Sequence, residues 1–269
     1  MYVNKATLAQ IHACEAHFQA QRDAPFTWSV ITARGTVAHK AIELSVHRRD
    51  RPAPLELVDN AMARLEDDPA NAIADFLVGL GEAERAELRG EANDLVSKFA
   101  ELWPPLLPRW TPRTESRTRA EVCEGRVLLA GKVDLALGTP SGTTAGTLLV
   151  DLKSGASSAG HLHDLRFYAL LETLRIGVPP FRLASYYLDS GTFLAEEVTD
   201  DVLEAALLRT VAGVRAVIDL DAGLRSASVT PNPACRWCPA RHRCDGARTW
   251  SATDGDGSHD NGAEDHLGP

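Results

Sequence analysis

The sequence predicts an α/β fold in which a small mixed sheet is flanked by helices. Short apolar runs between turn-forming residues indicate strands in the second half of the chain. Apolar side chains at helical spacing precede and follow these runs. The chain has 269 residues, 44% of them hydrophobic, which is enough for one large domain or for a domain with an insertion.

The first half of the chain is predicted to be helical. Residues 35–49 (GTVAHKAIELSVHRR) have apolar side chains at helical spacing. Three further helical patterns lie within residues 55–102. The following segment, WPPLLPRWTP, ends the helical pattern because closely spaced prolines cannot continue a helix. We therefore expect a helical insertion over about residues 53–110.

The second half is predicted to form the sheet and two more helices. The last two predicted strands flank Asp189-Ser190-Gly191, a hairpin signal. Gly177 and Pro179 end the first of the two helices. The expected strands and helices follow chain order: strands 116–123, 126–137 and 147–153, helix 161–176, strands 182–188 and 192–198, and a helix from about 200 to 220.

Composition limits the class of protein. No stretch approaches the ~20 apolar residues of a transmembrane helix, and the first residues lack the basic-then-apolar pattern of a secretory signal. These features predict a soluble cytoplasmic protein without a membrane partner. Residues 249–269 are polar and turn-rich, with five acidic residues and no Lys or Arg, and are predicted to form a disordered acidic tail. Residues 1–248 are predicted to form a single domain.

For nucleic-acid binding, the distribution of charge is more informative than the net charge of −9. Arginines are concentrated in a run along the first predicted strands and near the C-terminal cysteines: Arg109, Arg113, Arg117, Arg119 and Arg126, and Arg236, Arg241 and Arg243. An acidic protein with such local basic patches is able to bind nucleic acid, although the charge balance does not demand it.

Charged side chains interrupt two of the predicted strands. Asp134 lies inside an otherwise apolar strand, and Asp151 and Lys153 end the next one. Residues two apart on a strand share a face, and Asp134 converges on that face if the two strands are antiparallel neighbours. Two carboxylates and an ammonium group around one point suit a divalent ion that activates water. A salt bridge at the edge of the sheet explains the same pair equally well.

The cysteines indicate a second site. Three of the five lie in one short segment: Cys235, Cys238 and Cys244. In a cytoplasmic chain this clustering predicts metal binding rather than disulfides. A closed tetrahedral site needs a fourth ligand, for which Cys14 and Cys123 are candidates. Spacing does not separate zinc from an iron–sulfur cluster, and His242 is able to replace a cysteine in a zinc site.

Together these residues resemble the PD-(D/E)XK nuclease superfamily, in particular its RecB-like branch, which includes the exonuclease domains of AddB-type enzymes and CRISPR-associated exonucleases. The resemblance spans roughly residues 8–248 and implies a restriction-endonuclease-like core. Four motifs carry it: Gly35-x-x-x-His39, Gly131-x-x-Asp134, Asp151-x-Lys153, and the helical Asp164-Leu165-x-x-Tyr168-Ala169.

The resemblance implies a role for each matching residue. His39, Asp134 and Asp151 would bind Mg²⁺ or Mn²⁺, and the Leu152 carbonyl is a further possible ligand. Lys153 would be the catalytic lysine, which stabilises the transition state. Tyr168, on the following helix, would contact DNA or organise the site. The implied function is a metal-dependent deoxyribonuclease, expected to be an exonuclease acting on single-stranded DNA or DNA ends in repair, recombination or phage defence.

One residue departs from the family pattern. Asp164 occupies the position where the helix motif usually has Gln, and a carboxylate accepts hydrogen bonds but cannot donate them to a phosphate or a base. An alternative function is therefore a catalytically weak or inactive DNA-binding or scaffold subunit of a helicase–nuclease or CRISPR-type complex. In either case a helicase, CRISPR or repair protein is a candidate partner.

The resemblance also bears on the cysteines. The RecB-like branch has a subset with one N-terminal and three C-terminal cysteines around a [4Fe-4S] cluster. That arrangement favours Cys14 over Cys123 as the fourth ligand, and iron–sulfur over zinc. The implied ligands of the cluster are Cys14, Cys235, Cys238 and Cys244.

Overall fold

The computed structural model describes residues 1–22, 24, 26–48, 50–158 and 160–254, with side chains up to residue 250. The chain divides into two compact units. The first consists of Met1–Lys5 and Phe26–Ala212, and the second of Ala6–Pro25 and Gly213–Pro269. The nuclease domain predicted for residues 1–248 therefore includes the whole of the first unit and most of the second.

The first unit contains a mixed sheet, as predicted. Its strands are β1 (Tyr2–Val3), β2 (Arg113–Val122), β3 (Val127–Leu137), β4 (Leu148–Lys153), β5 (Arg182–Tyr187) and β6 (Thr192–Glu197). They are ordered β1-β3-β4-β5-β6, and β2 pairs with β3. The pairs β1–β3 and β4–β5 are parallel, and the other pairs are antiparallel. The predicted strands agree with the observed ones to within three residues at each end, but β1 was not predicted.

The helices confirm the rest of the predicted fold class. They are α1 (Lys5–Ala13), α2 (Glu15–Arg22), α3 (Val30–Val46), α4 (Pro54–Glu66), α5 (Ala74–Gly79), α6 (Glu82–Leu102), α7 (Gly160–Ile176), α8 (Asp200–Asp221) and α9 (Asp245–Asp254). The insertion is helical, since it consists of α4, α5 and α6. Helix α3 begins earlier than predicted because Ser29 and Thr32 form a capping box at its N-terminus.

One hydrophobic cluster in the first unit joins the insertion to the sheet. Apolar residues of α3, α4 and α6 pack in it together with Leu135 of β3 and with Val150 and Leu152 of β4. On α3, Val37, Ala38, Ala41 and Ile42 are at most 2% exposed. This burial fixes α3 beside the strands that carry the acidic residues.

The pairing of β3 leaves a gap. β2 pairs with β3 from Arg113–Ala136 to Val122–Val127, and the ladder is interrupted where Glu115 lies opposite Asp134. On its other edge, β3 pairs with β1 at residues 128–129 and with β4 at residues 135–137. Among the described strands, none occupies that edge beside residues 130–134. Lys5, the first residue of α1 and two positions after the end of β1, is close to the part of β3 that carries Asp134.

The second unit has a small core of its own. Ile11 of α1 and Phe18 of α2 pack with Val217 and Leu220 of α8. The C-terminal segment adds two 3₁₀ turns, Pro233–Trp237 and Arg241–Arg243, before α9. Helix α9 extends to Asp254, so the predicted tail begins within a helix, and its remainder lies outside the described residues. Across the described part of the chain, no helix combines the length and apolarity needed to span a membrane.

Gly131 lies in the stretch of β3 that pairs with β2 alone, and it packs against α7. A β-carbon at this position would lie 2.5 Å from Cε1 of Tyr168 and 3.1 Å from Cδ1 of Leu171. Tyr168 is only 2% exposed, so its ring has little room to move away. The glycine of the Gly131-x-x-Asp134 motif therefore allows close packing of α7 on β3.

We expect Gly131→Ala to destabilise the protein by about 1–3 kcal/mol, because the added methyl group overpacks a filled site. Thermal unfolding monitored by circular dichroism measures the effect. Gly90→Ala is the matched control, since Gly90 is an exposed residue of α6 with no atom within 4 Å of the added carbon. The control should stabilise its helix by about 0.5–1 kcal/mol. Equal unfolding midpoints for Gly131→Ala and the wild type would contradict this account of the packing.

Candidate active site and cysteine cluster

Asp134, Asp151 and Lys153 lie on neighbouring strands. β3 and β4 are antiparallel, with Leu135 opposite Val150, which is the arrangement that the convergence of the two aspartates required. One oxygen of Asp134, Oδ2, accepts a hydrogen bond of 2.8 Å from the backbone N–H of Leu152. This bond fixes the carboxylate of Asp134 beside β4, at the residue that separates Asp151 from Lys153.

The carboxylate of Asp151 is completely buried and has a lysine on each oxygen. Lys5 Nζ donates a hydrogen bond of 3.0 Å to Oδ1, and Lys153 Nζ lies 2.6 Å from Oδ2. The approach of Lys153 does not have hydrogen-bond geometry, so Oδ2 is buried without a hydrogen bond. Lys153 instead donates to Oδ2 of Asp164, at 3.2 Å. A buried charge needs such compensation, because its desolvation is costly.

His39 completes this group from α3. Its Nδ1 atom lies 3.5 Å from Oδ1 of Asp134. Burial alone would lower the pKa of His39, but Asp134, with a smaller contribution from Asp151, raises it above its usual value. Burial would likewise raise the pKa of Asp134, but His39 and Lys5 lower it below the usual range. The two side chains therefore form an ion pair when His39 is protonated.

Lys5 is a site residue that the sequence analysis missed. Burial would lower its pKa, but the Asp151 carboxylate raises it well above the usual value, with help from Asp134 and Asp164. The ammonium group is therefore charged. In the sequence, Lys5 is marked only by its position after a strand of two residues. Such a pattern is too short to predict either a strand or a site.

Tyr168 is a buried residue of α7 that packs against Lys5. The ring is 2% exposed, and Lys5 Nζ lies 5.2 Å from its centroid, within the range of a cation–π contact. Burial, which outweighs the opposing effect of Lys5, raises the pKa of Tyr168 to about 12. Of the two roles that the family resemblance implied, this burial fits the organising role and leaves no surface for a DNA contact.

A further polar group lies near Lys153, at the start of α7. The hydroxyl of Tyr187 is within 3.2 Å of both His161 Nδ1 and Ser157 Oγ. Burial lowers the pKa of His161, and Lys153 lowers it further. None of these residues was predicted, because a serine, a histidine and a tyrosine spread over 31 positions form no local motif.

Glu115 faces Asp134 across the β2–β3 ladder, since its neighbours Thr114 and Ser116 pair with Leu135 and Val133. Its φ of 51° is left-handed, which is unusual for a non-glycine residue within a strand. The side chain forms an ion pair with Lys132. Its charge also contributes to the raised pKa of His39. The strand is therefore distorted opposite the acidic group.

His39, Asp134 and Asp151, here called the acidic group, are not arranged as a complete metal site. Within the described ranges, no three His, Cys, Asp or Glu side chains are placed so that they could hold a metal ion. The chemistry of the donors nevertheless fits a hard cation such as Mg²⁺ or Mn²⁺, which prefers carboxylate oxygens. The buried oxygen Asp151 Oδ2 accepts no hydrogen bond and is a candidate ligand atom, although Lys153 Nζ lies 2.6 Å from it. The candidate metal ligands lie near one another, but in this structure two lysines neutralise the charge of Asp151.

A model of the PD-(D/E)XK nuclease superfamily matches residues 4–245 of the chain. The chain belongs to the PD-(D/E)XK nuclease superfamily. The mixed sheet with its flanking helices is consistent with the fold of that superfamily, which confirms the predicted restriction-endonuclease-like core. The match includes the motif residues and the insertion.

One solved structure agrees with this membership at the level of the fold. The structure of a candidate exonuclease from Eubacterium rectale has a TM-score of 0.54 and 11% identity, and the alignment covers 100% of this chain and 90% of the other. The structure of SSO0001 has a TM-score of 0.37 and 14% identity over 80% of this chain and 96% of the other, too low to carry an argument. A comparison with curated proteins finds no significant match.

The second unit of this PD-(D/E)XK protein brings four of its cysteines near one another. Burial raises the pKa of the Cys238 thiol, and Cys235, Cys14 and Cys244 raise it further, so all three lie within electrostatic reach of it. Cys14 is buried, and its sulfur accepts the N–H of Thr230 at 3.4 Å. The alternative fourth ligand, Cys123, is an exposed residue of the first unit. As at the acidic group, no finished metal site is present among these described side chains.

Glu15 holds the segment that carries Cys14 against residues 225–228. Its carboxylate accepts two hydrogen bonds of 2.6 Å from the Arg225 guanidinium, and bonds of 2.8 and 2.9 Å from the N–H and hydroxyl of Ser228. The bonds from Arg225, which outweigh the effect of burial, lower the pKa of Glu15 from 4.5 to about 2. This clamp fixes the backbone on which Cys14 lies.

We expect Glu15→Gln to lower the stability of the protein by about 1–2 kcal/mol at neutral pH, because an amide cannot replace the charge-assisted bonds. The folded-state pKa is depressed, so the stabilisation is complete above pH 4.5 and is lost as the pH falls towards about 2. Urea unfolding as a function of pH measures the difference between variant and wild type.

Glu124→Gln is the matched control for this prediction. The ion pair of Glu124 with Arg126 has side chains that are 87% and 77% exposed, so its loss should change stability by less than about 0.5 kcal/mol. A Glu15→Gln effect that is equal to the control, or that does not shrink below pH 4.5, would contradict the proposed clamp.

Proposed function

We propose that this protein is a divalent-metal-dependent deoxyribonuclease, and more specifically an exonuclease of the RecB-like branch that acts on single-stranded DNA or DNA ends. Its setting would be repair, recombination or phage defence. The observation that carries the proposal is the meeting of Asp134, Asp151 and Lys153 on adjacent strands of a PD-(D/E)XK protein, with His39 beside Asp134. The resemblance in fold to a candidate exonuclease supports the same activity.

In this proposal His39, Asp134 and Asp151 hold Mg²⁺ or Mn²⁺. When bound, the ion supplies the Lewis acid that activates water and neutralises phosphate charge. Lys153 provides a fixed positive charge for the phosphoryl oxygen, where negative charge grows in the transition state. Asp164 keeps the Lys153 ammonium in place through their hydrogen bond of 3.2 Å. Tyr168 fills the space beneath the site and orders it without contacting DNA.

The cysteines of the second unit would carry a [4Fe-4S] cluster, with zinc as the less favoured metal. Cys14, Cys235, Cys238 and Cys244 would be its ligands. The observation behind this proposal is that Cys14, Cys235 and Cys244 lie within electrostatic reach of Cys238. Such a cluster would tie the N-terminal helices to the C-terminal segment and would have no part in hydrolysis.

The second unit also presents a surface suited to a single strand of DNA. Trp237 is 74% exposed, and the neighbouring arginines are exposed as well: Arg236, Arg241, Arg243 and Arg248. Exposed aromatic rings stack on bases of any sequence, and arginines contact the phosphates. The combination supports single-stranded DNA as the substrate class.

A DNA-binding subunit without turnover is a second candidate, in which a helicase, CRISPR or repair protein supplies the activity. The observation that favours it is the neutralisation of Asp151 by two lysines, together with the carboxylate at position 164. The two candidates differ in whether any cleavage occurs.

We expect Asp151→Asn to abolish metal-dependent DNA cleavage, with a loss on the order of 100-fold or more, because it removes a ligand charge. The assay uses end-labelled single- and double-stranded DNA with Mg²⁺, Mn²⁺ or EDTA. Asp75→Asn, at an exposed position of the insertion, is the matched control and should retain full activity. If the folded wild type, tested with both ions, is as inactive as Asp151→Asn, nuclease activity is excluded. The function of a DNA-binding subunit is then favoured.

We expect Trp237→Ala to weaken binding of single-stranded DNA by about 5- to 150-fold, because one stacked base contributes about 1–3 kcal/mol. Trp237→Phe keeps a ring and should retain most of the affinity. Fluorescence anisotropy of a labelled oligonucleotide in EDTA, repeated over a range of salt, measures both. The salt dependence should stay unchanged in Trp237→Ala, since stacking releases no counterions. Equal affinity of Trp237→Ala and wild type would rule out stacking at this residue.

A further inference from the structure

Lys5 makes a contact that the proposed function does not use. Its ammonium group donates to Asp151 Oδ1 at 3.0 Å and lies over the Tyr168 ring. The contact links residues 146 positions apart in the chain. Because the Asp151 side chain is 0% exposed, solvent screens this ion pair far less than a pair on the surface. A contact of this kind constrains a central carboxylate of the site.

The position of Lys5 follows from the sheet. β1 pairs in parallel with residues 128–129 of β3, and α1 begins two residues after β1 ends. The side chain of Lys5 therefore enters the gap beside residues 130–134, where neither β1 nor β4 pairs with β3. Lys153 approaches Asp151 from β4 itself, so the two lysines reach the carboxylate from different elements.

The charges of the site explain what a second lysine changes. Three carboxylates, Asp134, Asp151 and Asp164, face two ammonium groups, those of Lys5 and Lys153. With His39 neutral, these five groups have a net charge of minus one; the count leaves out Arg209, which lies near Asp164, and the Glu115–Lys132 ion pair. A divalent ion makes the net charge plus one, and a phosphodiester then balances it. Without Lys5, the ion alone would balance the group and leave no excess positive charge for the phosphate.

We propose that Lys5 is a positioning residue of the active site that holds Asp151 Oδ1 and weakens the binding of the divalent ion in favour of the phosphate. It acts through Asp151 and through its charge, and it does not replace Lys153. Its role towards DNA rests on the proposed function, whereas its effect on ion binding does not. The proposal therefore predicts opposite effects on the two steps when the charge is removed.

The test compares Lys5→Met and Lys5→Gln with the wild type in two measurements. Calorimetric titration with Mn²⁺ gives the affinity for the ion, and single-stranded DNA cleavage at saturating Mn²⁺ gives kcat. Both variants should bind Mn²⁺ about tenfold more tightly, because a nearby positive charge has been removed. Their kcat should fall by about tenfold, because the phosphate loses a favourable charge. Lys5→Arg keeps the charge and should stay closer to the wild type in both.

Lys5→Gln controls for a folding defect, because the glutamine amide is still able to donate a hydrogen bond to Asp151. Lys40→Met is the matched control: it removes another lysine ion pair, with Glu43 at 2.8 Å on α3, and should change neither measurement. A lysine that is merely structural would give weaker Mn²⁺ binding on removal, so unchanged or weaker binding in Lys5→Gln overturns the proposal.

The two proposals fail in different ways. If the wild type binds Mn²⁺ but cleaves no DNA, the nuclease function falls, and tighter Mn²⁺ binding by Lys5→Gln still supports the effect of Lys5 on the ion. If the wild type cleaves DNA but the Lys5 variants match it in both measurements, the nuclease function stands and the inference about Lys5 is overturned. If the folded wild type does not bind Mn²⁺, the inference is overturned directly.

Discussion

The burial of the Asp151 carboxylate is the constraint on which the site depends. A fully buried charge is tolerated only when opposite charges and donors surround it. Lys5 and Lys153 provide that compensation, and Asp164 in turn holds Lys153. The carboxylate thus connects β4, the start of α1 and the first turns of α7. An apolar strand can end on charged residues here because each charge has a partner.

The incomplete pairing of β3 makes room for this network. β1 and β4 pair with different stretches of one edge of β3, so Lys5 and side chains of α7 have access to the strand between them. Gly131 lies in that stretch and allows the Tyr168 ring to pack beneath Lys5. A longer β1 would close the gap and exclude the lysine. The site is therefore a consequence of sheet register as much as of its acidic residues.

Much of the fold could be predicted from the sequence, because apolar periodicity is a local signal. The two-residue period of a strand was enough to place Asp151 and Lys153 on one side. Lys5 could not be found in this way, since a two-residue strand has no period and its partner is 146 residues away. The burial of Tyr168 on α7 likewise depends on Gly131, which belongs to β3. The neighbours of Cys14 are set by the long-range clamp of Glu15 on Arg225 and Ser228.

The central claim is that the acidic group on β3 and β4 receives a divalent ion. A crystal structure of the protein grown with Mn²⁺, with anomalous diffraction measured at the manganese edge, tests it most directly. The account predicts an anomalous peak within coordination distance of Asp134 and Asp151, with His39 turned towards the ion and Lys5 still bonded to Asp151. A site without a peak, in which Lys5 and Lys153 both keep their contacts with Asp151, would contradict the account.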